Sequence, residues 1–136
     1  MIQTFILDWP PSTNTIWRAY KGRNILALRY RQWRDGAGKQ LVSLKVKPIK
    51  GPVFVEIELC SPTKRSFDLD NRIKPILDLL VINGVIEADD AMVVPSLHVR
   101  ASSGFVGARI TLTPLETDTL AVPVYPVLPP CDVEAA

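Results

Sequence analysis

The sequence predicts an α+β domain, a mixed sheet packed on two helices. Residues 53–60 and 106–113 alternate apolar and polar side chains at period two, as half-buried strands do. Residues 29–47 and 73–80 repeat their apolar positions at helical intervals instead. Both patterns fall within 136 residues, of which 47% are hydrophobic and 22% charged, so strands and helices share one core.

In chain order, residues 2–7 form a short apolar strand. Trp9-Pro10-Pro11-Ser12-Thr13-Asn14 is a rigid turn, because each proline fixes φ and removes a donor. Residues 17–24 are basic and aromatic without helical period, which indicates a loop or a hairpin. From Arg29 to Lys47, the residues Tyr30, Trp33, Ala37, Leu41 and Leu44 mark one face of a helix. Arg29, Arg31, Arg34 and Lys45 fall off that face, toward water or a ligand. Pro48 to Pro52 ends the helix, and residues 53–60 follow as a strand. A second helix carries Ile73, Ile76, Leu77 and Leu80; Pro75 must occupy its first turn, where a missing N–H costs least. Asn83-Gly84 supplies the left-handed stop. Val93, Leu97 and Val99 suggest a strand broken or edged by Pro95, and the last strand carries Val106, Ala108, Ile110 and Leu112.

Charge is unevenly spread. Residues 1–50 hold ten Lys/Arg against two acids, residues 51–113 six against eight, and residues 114–136 no base and four acids. A basic half beside an acidic cluster suits an enzyme that uses a cation on a polyanion; unevenly charged solvated faces are the plain alternative. The first residues lack the basic flank of a signal peptide, and no apolar run reaches spanning length. Two cysteines and one histidine, His98, offer no zinc spacing. A reducing, cytoplasmic setting and no membrane partner are expected.

The chemistry lies between Asp68 and Asp90. On an extended segment Asp68 and Asp70 would share a face, and two such carboxylates repel unless a hard cation such as Mg²⁺ lies between them. Asn71 adds a neutral oxygen. Lys74 stands four residues beyond Asp70, and Asp78 four beyond Lys74, as a ladder on one helical face. Glu87, Asp89 and Asp90 add carboxylates after the Gly84 turn. Each feature has a plainer reading. Asp70 and Asn71 could cap a helix, Lys74 and Asp78 could be a surface pair, and Asp89-Asp90 a solvated turn. The run from Trp17 to Arg34 could be an ordinary surface, or could track phosphates and stack on bases.

Taken together in this order, the residues resemble the RusA-type Holliday junction resolvases, small endonucleases of phages and prophages. The resemblance runs over residues 1–113. It rests on Trp9-Pro10-Pro11-Ser12-Thr13-Asn14, Arg18, Gly22-Arg23, Trp33-Arg34-Asp35, Asp68-Leu69-Asp70-Asn71, Lys74, Asp78 and Asp89-Asp90-Ala91-Met92-Val93. It implies a RusA-like nuclease domain that acts as a homodimer and makes paired symmetric nicks in four-way DNA junctions, in recombination and repair. It further implies Mg²⁺, with Mn²⁺ able to substitute. The implied catalytic residues are Asp68, Asp70, Lys74 and Asp90; the implied metal ligands are Asp68, Asp70 and Asp90, with Asp89 the alternative within the pair. DNA would be held by Asn14, Arg18, Lys21, Arg23, Arg29, Arg31, Arg34, Asn71 and Arg100.

Two other readings remain open at this point: a non-catalytic junction-binding module, and a metal-dependent hydrolase of nucleotides or RNA. Residues 114–136, with five of the twelve prolines, are expected to form an acidic, irregular or extended tail. Such a tail beside so basic a half would shield the DNA face, and deleting residues 118–136 should then tighten DNA binding at low salt.

Overall fold

Alternation is strictest in residues Val53–Cys60, and the computed structural model, which describes residues 1–116, folds them as the strand on which the rest is built. Val53, Val55, Ile57 and Leu59 are fully or almost fully buried, while Phe54, Glu56, Glu58 and Cys60 take the other face. The elements are β1 (Gln3–Leu7), a 3-10 turn (Thr13–Thr15), β2 (Trp17–Tyr20), β3 (Arg23–Leu26), α1 (Leu28–Ser43) and β4 (Val53–Cys60). A second 3-10 turn (Leu69–Arg72), α2 (Ile73–Ile82), β5 (Ser96–Ala101) and β6 (Gly107–Pro114) follow.

Four strands form a sheet in the order β1-β6-β4-β5, so the mixed sheet on two helices is realised. β6 is antiparallel to both neighbours, with Ile110 opposite Phe5 and Ile57. β5 runs parallel to β4, with Val99 opposite Ile57. A parallel pair cannot be joined by a tight turn and needs a long crossover. Here that crossover contains α2 and every carboxylate from Asp68 to Asp90. Phe5, Leu7, Ile110 and Leu112 from the sheet share one core with Ala37 and Leu41 of α1 and Ile76, Leu79 and Leu80 of α2. Among the described residues no helix is long and apolar enough to cross a membrane.

Three sequence expectations need correction, the simplest being Val106, which is exposed and precedes β6 instead of joining its buried face. The first helix ends at Ser43, not near Lys47. Lys45 adopts φ +55°, its N–H reaches the Val42 carbonyl and the Val46 N–H reaches the Leu41 carbonyl, which is a Schellman stop built without glycine. Leu44 therefore leaves the apolar face and is exposed. α2 stops as expected, with the same pattern at Gly84. Pro75 lies in its first turn, buried. The last correction concerns Asp68 and Asp70. Asp68 is extended, but Asp70 lies inside a 3-10 turn, so the two do not alternate along one strand.

Residues 17–24 resolve as a hairpin, the β2–β3 ribbon. Its two turn residues, Lys21 and Gly22, both have positive φ, as a twist-matched two-residue hairpin turn requires. The acidic tail expected over residues 114–136 lies outside the described residues, apart from its first three. Pro114 still belongs to β6, and the Leu115 N–H bonds to the Pro52 carbonyl.

On the sheet face opposite the helices, register places Glu58 of β4 opposite Arg100 of β5 and Arg109 of β6. Glu58 accepts from both guanidiniums at 2.5 Å. The Arg109 bond, then the Arg100 bond, lower the Glu58 carboxyl to about 2. A carboxylate with a depressed folded-state pKa adds stability above its unfolded value, and that stability is lost as pH falls through the folded value. Between about pH 4.5 and pH 2, Glu58→Gln should therefore flatten the acid limb of the stability curve, as read by urea unfolding across that range.

Candidate nuclease site

The site begins where the chain leaves β4. Asp68 is extended and exposed, and its Oδ2 accepts from the Asn71 amide at 3.4 Å. It makes no side-chain cap to the turn that follows. Asp70, in that turn, is exposed. Thr13 of the first 3-10 turn donates its hydroxyl to the Asn71 carbonyl at 2.9 Å, which ties the Pro-Pro segment to the carboxylates.

Lys74 sits one residue into α2. Its Nζ lies 2.9 Å from Asp78 Oδ1 and 2.8 Å from Asp89 Oδ2. The spacing foresaw Asp78; the return of the chain after Gly84 brings Asp89. Asp70 stands outside this cluster, because the 3-10 turn breaks the helical register that the ladder assumed. The bonds to Asp89 and then Asp78 raise the Lys74 pKa above the ordinary lysine value, so Lys74 is a fixed ammonium. The same bond lowers the carboxyl of Asp89. Asp90 does different work: its Oδ1 accepts from the Met92 and Val93 N–H groups at 3.0 and 3.1 Å and closes the turn before β5. Glu87 accepts from the Gly51 N–H at 3.0 Å.

A cleft of about 480 Å³ joins Lys74, Asp78 and Asp89, but not Asp68, Asp70 or Asp90, to the basic aromatic segment. Trp17 of the ribbon, Tyr30 and Arg34 of α1, and Lys74, Asp78 and Asp89 all line it. Burial, and next the Asp78 charge, raise the Tyr30 hydroxyl. Arg18, Lys21 and Arg23 stand exposed on the ribbon, with Arg18 and Lys21 both within 6 Å of the Tyr20 ring centre. Asn14 is exposed in the first 3-10 turn; Arg29 and Arg31 are exposed on α1, and Arg34 is half-buried against Tyr30. Arg100 stands apart, held by Glu58 on the sheet face away from the helices.

Two arginines that the sequence reading does not select, Arg65 and Arg72, line a second cleft with Trp9, Arg29 and Trp33. The available signal was their place on either side of Asp68 and Asp70, two more bases within a run read for its acids.

Asp68, Asp70, Asp89 and Asp90 offer only carboxylate oxygen, the donor chemistry of a hard divalent cation. Among the described residues no three His, Cys, Asp or Glu are grouped at metal-holding distances, and Asp89 and Asp90 are engaged by Lys74 and by turn amides. By donor chemistry the set fits such an ion.

Residues 8–113 match the family model described as endodeoxyribonuclease RusA. The chain is 30% identical over 112 residues to the crossover junction endodeoxyribonuclease of Enterobacteria phage HK97, covering 79% of this chain and 92% of the relative. It is 34% identical over 108 residues to the Escherichia coli K12 protein of that name, and 35% to that of Enterobacteria phage 82; each alignment covers 79% of this chain and 88% of the relative. The ordered carboxylates, the lysine between them and the length of these matches agree, and the chain belongs to the RusA endodeoxyribonuclease family.

Proposed function

We propose that this protein is a structure-selective endonuclease that resolves four-way DNA junctions by paired nicks, acting as a homodimer with Mg²⁺, for which Mn²⁺ can substitute. The observation that carries the reading is a cleft in which a fixed ammonium between two carboxylates meets Trp17 of the ribbon and Tyr30 and Arg34 of α1, in a chain of an endodeoxyribonuclease family. Asp68, Asp70 and Asp90, with Asp89 beside them, would hold the cation. Bound there, it would lower the pKa of a water and offset phosphate charge.

The chain's own groups do the rest. Lys74 holds a positive charge against the phosphate as negative charge develops on it. Arg18, Lys21, Arg23 and the α1 arginines hold the strand by its phosphates, an attraction that weakens with salt. Trp17 and Tyr20 present ring faces to any base that leaves its stack. A twofold pair of such clefts addresses two equivalent strands of a junction at once.

The test is a labelled synthetic four-way junction and the matching linear duplex, each with Mg²⁺, Mn²⁺ or EDTA, with mononucleotides in parallel. Nicking of the junction in either metal, with none in EDTA and little on the duplex, is expected. Equal cutting of the duplex, or turnover of mononucleotides, would overturn the junction reading. Lys74→Met should reduce nicking by about a hundredfold. Its two ion pairs are partly exposed, so the fold should lose no more than about 1 kcal/mol, checked by thermal melting.

A further inference from the structure

The second cleft shares only Arg29 with the groups just described. It encloses about 640 Å³, and its lining holds three guanidiniums, Arg29, Arg65 and Arg72, with no carboxylate among them. Elsewhere in the described structure carboxylates partner Lys74, Arg100 and Arg109; Arg29, Arg65 and Arg72 make no ion pair among the described residues. Arg72 is the most constrained of the three. Its Nη1 donates to the Pro10 carbonyl at 2.6 Å and its guanidinium lies 5.0 Å from the Trp9 ring centre. Its Nε is buried with no partner among the described residues. A desolvated cation left with an unsatisfied donor is costly unless an anion arrives. Trp9 and Trp33 supply indole surface in the same cleft, and the Trp33 Nε1–H is fixed on the Asp8 carbonyl at 3.0 Å.

The cleft is also placed next to the carboxylates. Arg72 closes the four-residue turn that carries Asp70. The first 3-10 turn separates the two clefts: Thr13 lines the one with Lys74, and Ser12 and Thr15 line this one. A DNA strand with one phosphate beside Lys74 thus has a neighbouring unit at Arg72.

We propose that this cleft binds one unpaired nucleotide of the DNA strand, its phosphate on Arg29, Arg65 and Arg72 and its base against Trp33. The proposal rests on the endonuclease reading and adds to it a recognition element for strand that has left the duplex, which a junction's exchange point can supply and a linear duplex cannot.

The test uses the full chain in EDTA with a five-nucleotide thymidine oligonucleotide, following tryptophan fluorescence over a salt series. Binding is expected to quench the fluorescence. Arg29→Gln with Arg65→Gln should weaken it about tenfold and lower the salt slope by up to about 0.7, the value for the one phosphate these arginines hold. Arg72→Lys keeps the charge but not the planar fork, and should also weaken binding. The quench should persist in Trp17→Phe and be largely lost in Trp33→Phe, any remainder coming from Trp9 in the same cleft.

Wild-type affinity and slope in the double variant would overturn the proposal. So would a quench that follows Trp17, or equal binding of an abasic five-unit strand. Oligonucleotide binding through these arginines without any nicking of junctions would remove the nuclease reading and leave the cleft standing. Junction nicking with unchanged oligonucleotide binding in the double variant would do the reverse.

Discussion

Asp70→Asn is expected to slow single-turnover nicking of a four-way junction by about a thousandfold and to leave the fold intact. Both halves follow from where Asp70 sits. It lies in the 3-10 turn at the mouth of the crossover, exposed, with no side-chain hydrogen bond among the described residues. Removing its charge should therefore change stability by no more than about 0.5 kcal/mol, as at any surface position without a structural bond. What it removes is one anionic oxygen from a set that is otherwise partly engaged, Asp89 by Lys74 and Asp90 by two turn amides. Asp90→Asn makes a useful contrast, since the amide oxygen can still accept from the Met92 and Val93 N–H groups. Any loss of nicking there reads charge and not turn geometry. The rates come from a labelled junction in excess enzyme, and the fold is checked by thermal melting of each variant.

Gly107→Ala is expected to be the most damaging single methyl in the described sheet, at about 3–5 kcal/mol. Gly107 begins β6, buried, at φ +118°, where an L side chain is strained. An added Cβ would also press into the carbonyl oxygen of Leu7 on the neighbouring strand β1, which cannot yield without breaking the pairing of Leu7 with Ala108. The melting temperature should fall by roughly 10–20 °C. Gly104→Ala separates the two causes. Gly104 has φ +93° but open space around its missing Cβ, so strain alone acts and about 1 kcal/mol is expected.

Much of this fold could be read from the sequence because its local signals agree with its packing. β4 alternates because one of its faces is wholly buried, and Asn83-Gly84 stops α2 because a glycine takes the left-handed position without cost. Pro75 marked the first turn of α2 through its missing donor. The misread places are those where an ordinary residue does unusual backbone work. Lys45 takes the left-handed cap of α1, which nothing in its side chain announces. Gly107 looked like the polar partner of an alternating strand and is instead a buried point of close approach.

The candidate site was legible as a list of residues and less so as an arrangement. Spacing found Lys74 with Asp78, since four residues in a helix bring side chains together. The bond with Asp89 spans fifteen residues and depends on the fold of the crossover after Gly84. The extended-strand argument for Asp68 and Asp70 failed because the chain turns directly after Asp68, with the Asn71 N–H on the Asp68 carbonyl, which puts Asp70 inside a 3-10 turn. Arg72 escaped because the partners that define it, the Pro10 carbonyl and the Trp9 ring, lie some sixty residues earlier in the chain.

The central claim, a carboxylate site presented twice to a branched substrate, is tested most directly by mapping nicks on a four-way junction labelled on each of its four strands in turn, with Mg²⁺, for the wild type and Asp70→Asn. The account predicts nicks at symmetric positions in two opposite strands, made by the wild type and not by Asp70→Asn. Tight junction binding with no nick in any strand, under Mg²⁺ or Mn²⁺, would contradict it and leave the carboxylates as turns and caps.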